Sequence, residues 1–404
     1  MIARVTLCLA FGFTVSMFFR GANGVIAPEL MAELKIAPAQ MGLVTGAFFL
    51  TFGLGMIPAG LALDRFGPRH SIATLSLVGV VGCVIFATAT GWIGLAVGRV
   101  ALAIGCVCIL MGSMATLSRW VEPARLGTYA GYISAAGAVG NMLTATPMAL
   151  LVEWIGWRGA YWVFASLCVM VSAAIWFGVR DQPSGEPLSS TRETPGEVWA
   201  GLREVLRFPY LLPFMAAQAV IYPTAVTITG LWIGPFLADV YGLSPTVRGN
   251  VLLLITAIGL VGSLVIGRLD ALFNTRKGVV VGLTLVTTTS LLPLALWGGA
   301  PLWLAMLCLC GAIGVAGVIS VLHTHVRVSF PERLAGRGLS TINAANMGGA
   351  FLLSAATGAI VDQFRGASGA APPLAYQLVF AFLIAALLIG LWCYRKVPDV
   401  RPRP

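Results

Sequence analysis

An arginine, Arg20, stands in the stretch SMFFRGANGVIAPEL (residues 16–30), behind an uncharged run, VTLCLAFGFTV. Asn23 follows three residues later, so the two share one face of a helix. Gln218, Tyr222 and Thr229 are spaced i, i+4 and i+11, again one helical face, and Ser320 and His323 sit in another apolar run. A guanidinium at the centre of a membrane helix costs about 3 kcal/mol or more. A bound anion offsets that cost and accepts two parallel N–H bonds. The chain's own fifteen acids do not supply the anion. Glu29, Glu33, Glu153, Asp239 and Asp362 fall near one set of run ends, and the other acids fall on the opposite side. Arg20 and Arg99 are the only charges inside the runs, so the chemistry these residues offer is anion recognition.

Other chemistries find no support. No nucleophile–base set is present, so the chain is not expected to be an enzyme. The eight cysteines form no CxxC pair and read as small apolar packing residues, with no disulfide, metal or cofactor. His323 and His325 have the wrong spacing for a same-face metal pair and read as polar residues near a helix end.

The elements that position these side chains follow from composition. Of 404 residues, 58% are hydrophobic and 10% charged, with mean hydropathy +0.91. A soluble domain carries about 25% charged residues, so this chain needs lipid as its solvent. Twelve spans of about 20 residues or more are predicted, near 5–30, 39–62, 71–90, 92–118, 127–152, 159–179, 210–238, 248–268, 278–298, 301–327, 338–361 and 374–395. With both termini cytoplasmic, nineteen of the 25 basic residues lie on the cytoplasmic side, as the positive-inside rule requires. The net charge of +10 is therefore accounted for without nucleic acid. Residues 1–19 loosely fit a signal peptide, yet the apolar run resumes after Arg20, which favours a retained first span.

The two halves echo each other. Gly60 and Asp64 in GLALDRFGPRH have counterparts Gly267 and Asp270 in GRLDALFNTRK, and Arg119 and Arg125 have counterparts Arg327 and Arg333. This points to a parallel duplication: six spans in residues 1–180, a cytoplasmic linker at 181–209 and six spans in 210–404, with a substrate site between the halves. The linker segment VWAGLREVLRF has amphipathic spacing and reads either as a short helix on the cytoplasmic face or as part of a tether.

GLALDRFGPRH resembles the helix 2–3 loop signature of the major facilitator superfamily, G-x-L-x-D-R-x-G-R-R/K. The resemblance implies an all-α membrane fold of twelve helices in two six-helix repeats. It also implies a gating role for Gly60, Asp64, Arg65, Gly67 and Arg69. LAVGRVALAIG (95–105) is similar to the family's helix 4 signature; Arg99 and Gly105 match, Ala103 stands where glycine is usual, and a coupling role for Arg99 is implied. In GAVGNMLTATP, Gly140 matches the helix 5 signature of drug/proton antiporters. Asn141 replaces its proline, which counts against drug efflux.

In the family, helices 1, 4, 7 and 10 line the cavity. That makes Arg20, Asn23, Gln218, Tyr222, Thr229 and Ser320 the expected substrate contacts, with Trp232 as an aromatic wall. Thr227 is the repeat mate of Arg20, and Asn141, Asn343 and Asn346 are secondary candidates. Each polar residue has a structural alternative, because Ser and Thr bond helix carbonyls and Asn and Gln join helices. FFRGANGVIAPEL also resembles helix 1 of the organophosphate and organic-anion branches. Helix 7 lacks their second arginine, which favours a monoanion, a carboxylate or a larger amphipathic anion over a doubly charged phosphate.

The expected function is a transporter of a small organic anion working by alternating access. The alternatives are an exporter of amphipathic or drug-like compounds and a non-transporting receptor. Expected partners are an anionic small molecule and the lipid bilayer, with the chain acting as a monomer. Short outer loops and the absence of an N-x-S/T site fit a bacterial inner membrane.

Overall fold

A chain this apolar satisfies its backbone in lipid by coiling every crossing into a helix. The computed structural model describes residues 1–182, 203–364 and 371–402. Its helices are α1 (Ile2–Gly21), α2 (Asn23–Leu34), α3 (Pro38–Thr88), α4 (Trp92–Trp120), α5 (Pro123–Leu143), α6 (Thr146–Gly178), α7 (Leu211–Thr227), α8 (Ile233–Tyr241), α9 (Pro245–Ile266), α10 (Leu269–Phe273), α11 (Arg276–Leu296), α12 (Leu302–Gly314), α13 (Val318–Ser329), α14 (Glu332–Asp362) and α15 (Pro373–Tyr394). A π-helical turn, Ile228–Trp232, joins α7 to α8. Most of the predicted linker lies outside the described residues; of the segment at 198–208, residues 203–206 are helical.

Among the described residues, ten helical stretches are long and apolar enough to cross a membrane. Two of them contain a break. In α3 the break is Gly67, at φ 80° and ψ 160°, a backbone region that residues with a Cβ avoid. Pro68 follows at the first turn of the next crossing, where its missing N–H is not needed. In α6 the break is Gly156. The first part of α6 completes the crossing begun by α5, and division at the two glycines yields the twelve crossings. Four crossings are interrupted along their length: the first at Ala22, the fifth between Leu143 and Thr146, the seventh at the π-turn and the tenth between Gly314 and Val318.

The duplication is visible in a shared end structure. Asp181, just after crossing six, accepts the backbone N–H of Arg69 at 2.7 Å. Asp399, just after crossing twelve, accepts the backbone N–H groups of Arg276 and Lys277 at 3.1 and 3.0 Å. Each acid caps the N-terminus of the third crossing of its own half, where the helix leaves donors free and favours negative charge. Burial resists ionisation of Asp399, but the hydrogen bonds from Thr275, Lys277 and Arg276 outweigh it and hold the carboxyl below its usual range.

The halves meet along α3 against α14, α2 against α8 and the π-turn, and α6 against α9. Backbones touch at small residues: a Cβ added to Gly24 would lie 2.0 Å from the Thr229 carbonyl oxygen. Polar contacts add to this seam. Arg248 donates to Glu29, Glu153 accepts from the Thr246 N–H and hydroxyl at 3.0 and 2.6 Å, and Thr146 bonds Asn250 at 2.8 Å. These contacts gather at the end of the molecule away from its termini, which closes the bundle there.

Candidate functional site

Below that seal lies a cavity of about 490 Å³ between the halves. Arg20 sits at its upper end, with Met17 and Phe13 stepping down α1. Ser134 and Asn141, seven apart on α5, form one polar stripe; Thr256 and Ser263 form the same i, i+7 stripe on α9. Tyr222 and Thr229 come from the seventh crossing and Ser320 from the tenth. Four of the six residues expected to touch substrate (Arg20, Tyr222, Thr229 and Ser320) are thus brought together. Asn141, a secondary candidate, joins them. No Asp or Glu is among the lining residues.

Arg20 makes no hydrogen bond among the described residues, and its Nε is buried without a partner. Its Cζ lies 4.3 Å from the centre of the Phe52 ring. Phe52 stacks on Phe48 with centroids 6.0 Å apart. Phe48 in turn carries the Arg99 guanidinium, 5.0 Å from its centre. Two arginines therefore flank a phenylalanine pair set one turn apart on α3. Cation–π contacts of this kind contribute about 0.5–2 kcal/mol each and leave the hydrogen-bonding edge of Arg20 turned to other acceptors. The spacing of Phe48 and Phe52 in AFFLTF is legible as one helical face, but nothing in it names the arginines as partners.

Arg99 takes a different position from Arg20. It is fully buried and donates to the Phe19 carbonyl at 2.7 Å. It stands behind α1 and not in the cavity, so α5 and α9 line the space where α4 was expected. The carbonyl it holds belongs to the residue before Arg20, so Arg99 steadies the stretch of α1 that presents Arg20.

Two other expected contacts also lie outside the lining. Asn23 is fully buried and donates to Thr45 Oγ1 at 3.1 Å. Gln218 is buried, with its amide nitrogen 2.7 Å from His323 Nε2. Trp232 is buried and donates to Thr357 at 2.7 Å, so it joins crossings seven and eleven instead of walling the cavity. Asn346 donates to Asn343 at 3.3 Å. Thr227 is buried and lies outside the lining.

The loop signature is anchored to its own half. Gly67 makes the turn, Arg69 Nε donates to the Trp176 carbonyl at 2.8 Å, and Asp181 holds the Arg69 backbone. Arg65 lies over Phe66. Asp64 is exposed, and among the described residues it has no hydrogen-bond or ion-pair partner. Gly60 has open space where a Cβ would point. The second-half counterpart Asp270 pairs with Arg276 at 3.4 Å.

Known proteins give the same frame. The chain is 24% identical over 325 residues to a "Probable hexose phosphate transport protein" of Chlamydia muridarum, covering 73% of this chain and 70% of that one. It is 24% identical to the membrane sensor protein UhpC of Salmonella typhimurium (68% and 66% covered). It is also 24% identical to a hexuronate transporter of Bacillus subtilis (71% and 69% covered). Among solved structures, a bacterial homolog of the human lysosomal transporter Spinster, inward-facing and occupied, superposes with a TM-score of 0.81 at 18% identity, covering 98% and 96% of the two chains. The inward-open xylose transporter XylE of E. coli superposes at 0.76 and 14% identity, covering 100% and 98%. The sequence model of the Major Facilitator Superfamily matches residues 9–352 and 215–404. With twelve crossings in two parallel repeats around one central cavity, this multi-pass membrane protein belongs to the Major Facilitator Superfamily.

Proposed function

We propose that the protein is a secondary transporter of a small organic monoanion, with Arg20 as the group that binds the anionic end. The observation that carries this reading is the unpaired edge of Arg20 in a cavity whose lining contains no acid. The cavity volume of about 490 Å³ suits a small solute, since such sites run from about 300 to 1,000 Å³. Asn141, Tyr222, Thr229 and Ser320 offer donors and acceptors to hydroxyl groups, as a sugar acid carries. One guanidinium matches one carboxylate. The hexose phosphate and hexuronate names of the relatives support the anionic class.

Residues 1–180 and 210–404 act as two rocking bodies joined by 181–209, with the solute exposed to each side in turn. With both termini cytoplasmic, the conformation described above is closed outside and open inside. The Gly60–Arg69 loop latches the alternate state, with Asp64 free to take a partner there.

The test is counterflow of radiolabelled galacturonate and glucose 6-phosphate in proteoliposomes. Loss of the bidentate bond removes about 1.5–3 kcal/mol, so Arg20→Ala lowers affinity about 10- to 150-fold, while Arg20→Lys keeps the charge and loses less. Parent-like affinity in Arg20→Ala refutes the anion role. A second reading, a sensor that binds without transport, is favoured by one relative's name; it predicts binding with no counterflow.

A further inference from the structure

Drawing an anion into a negatively charged cell runs against the membrane potential unless a cation enters with it or another anion leaves, and the cavity lining holds no carboxylate to carry a proton. One titratable ring stands directly below the lining. His323 lies three residues past Ser320 on α13, on the same helical face, and Gln218 lies four residues before Tyr222 on α7. Both offsets point toward the open end, so the two side chains meet beneath the cavity. Gln218 is fully buried, His323 is half-buried, and their side-chain nitrogens are 2.7 Å apart.

An amide nitrogen can only donate, so here Nε2 of His323 accepts and the neutral ring carries its proton on Nδ1. Gln218 Oε1 is buried with no partner. A second proton on the ring, at Nε2, would face amide hydrogens; a half-turn of the amide presents the unused Oε1 as acceptor instead. The pair thus has two hydrogen-bonded states that differ by one proton. The helices packed on α13 are α7, α9, α11 and α14. Their titratable and charged groups include Tyr222, Arg248, Arg276, Lys277, Arg337 and Asp362, and α13 itself adds His325 and Arg327. Among the described residues, His323 has no ion-pair partner.

We propose that His323, with the Gln218 amide as its reversible partner, is the proton site that couples solute movement to protons. This rests on the transporter reading above. The proton comes from water on the loading side, forms the imidazolium and leaves on the other side. The imidazolium adds positive charge beneath the cavity, so proton and anion favour each other's binding, and by linkage each raises the other's affinity by the same factor.

Proteoliposomes of the full chain with trapped pyranine test it, using galacturonate as the probe and radiolabelled counterflow in parallel. In the parent, galacturonate entry brings protons with it. His323→Gln lowers the proton signal at least 10-fold, whereas His70→Gln, at an exposed ring packed on Trp176, leaves it unchanged. Because the variant alone could fail to fold, the parent's ¹⁵N-labelled histidine rings are titrated with and without galacturonate. A coupling of about 5-fold or more moves the His323 midpoint up by about 0.7 pH unit when the anion is present. A parent-like proton signal in His323→Gln overturns the proposal. So does a His323 titration that ignores galacturonate in a parent that takes it up. Absence of counterflow with either galacturonate or glucose 6-phosphate in the parent defeats the transporter reading itself, and the proton site with it.

Discussion

Removing the Glu29 carboxylate is predicted to unlock the sealed end of the bundle. Arg248 is almost wholly buried, with side-chain exposure of 4%, and its Nε and Nη1 have no partner. Glu29, from the other half, is what satisfies this cation, and its own side chain is 27% exposed. Removing one member of a buried pair costs about 3–5 kcal/mol, because the other charge stays buried unpaired. Partial exposure of Glu29 places the effect at the low end, about 3 kcal/mol. When the halves part at this end both charges hydrate, so the whole cost falls on the closed state. At 1.4 kcal/mol per tenfold, Glu29→Ala shifts the balance toward the open state by about two orders of magnitude. Glu29→Gln keeps a neutral hydrogen bond worth about 1 kcal/mol and shifts it about 30-fold.

Spin labels at Lys35 and Val247, exposed positions on opposite halves beside the seal, report this in a pulsed electron–electron distance measurement. The parent gives one short distance, and Glu29→Ala adds a longer one as a major population. Glu29→Ala/Arg248→Ala has no stranded cation and returns part of the way to the parent. An unchanged distance distribution in Glu29→Ala, or a double variant that opens further than the single one, refutes the reasoning.

Three further outcomes follow from other contacts. Gly24→Ala places a Cβ 2.0 Å from the Thr229 carbonyl oxygen, so it opens the same end while each half stays folded; the same spin-label pair reads it, and a parent-like distance rejects it. Arg99→Met removes a buried charge that has one acceptor and two unpartnered nitrogens, so thermal unfolding shows stability within about 1 kcal/mol of the parent or higher, and a loss above about 3 kcal/mol contradicts this. Asp399 has a folded pKa below its unfolded value, so its hold on the α11 N-terminus is complete above the unfolded range near pH 4 and is lost as pH falls through the folded value. Protection of the Arg276 and Lys277 amides against hydrogen exchange, relative to their intrinsic rates, is expected to fall in the parent only as pH drops through the lowered folded value of Asp399, and to be weak already at neutral pH in Asp399→Asn; parent-like protection in that variant refutes the cap.

Much of this protein follows from the one-dimensional pattern. Apolar runs of membrane length force helices, because lipid offers the backbone no other partner, and all twelve predicted spans correspond to crossings within a few residues. The Gly67 turn is readable because a loop needs a backbone that only glycine adopts cheaply. The acid census leaves Arg20 without a carboxylate at its own depth, and that feature survives in the fold. Tertiary packing decided what periodicity cannot: which way each face points and what meets it. Arg20 and Arg99 look alike as lone arginines in apolar runs, yet one meets a carbonyl behind α1 and the other is presented to the cavity. Asn23 and Gln218 share helical faces with cavity residues, but one is drawn to Thr45 and the other lies one turn below the lining, against His323. The Glu29–Arg248 pair joins residues far apart in the chain, and its partners are chosen by how the two halves close, a three-dimensional fit with no local signature.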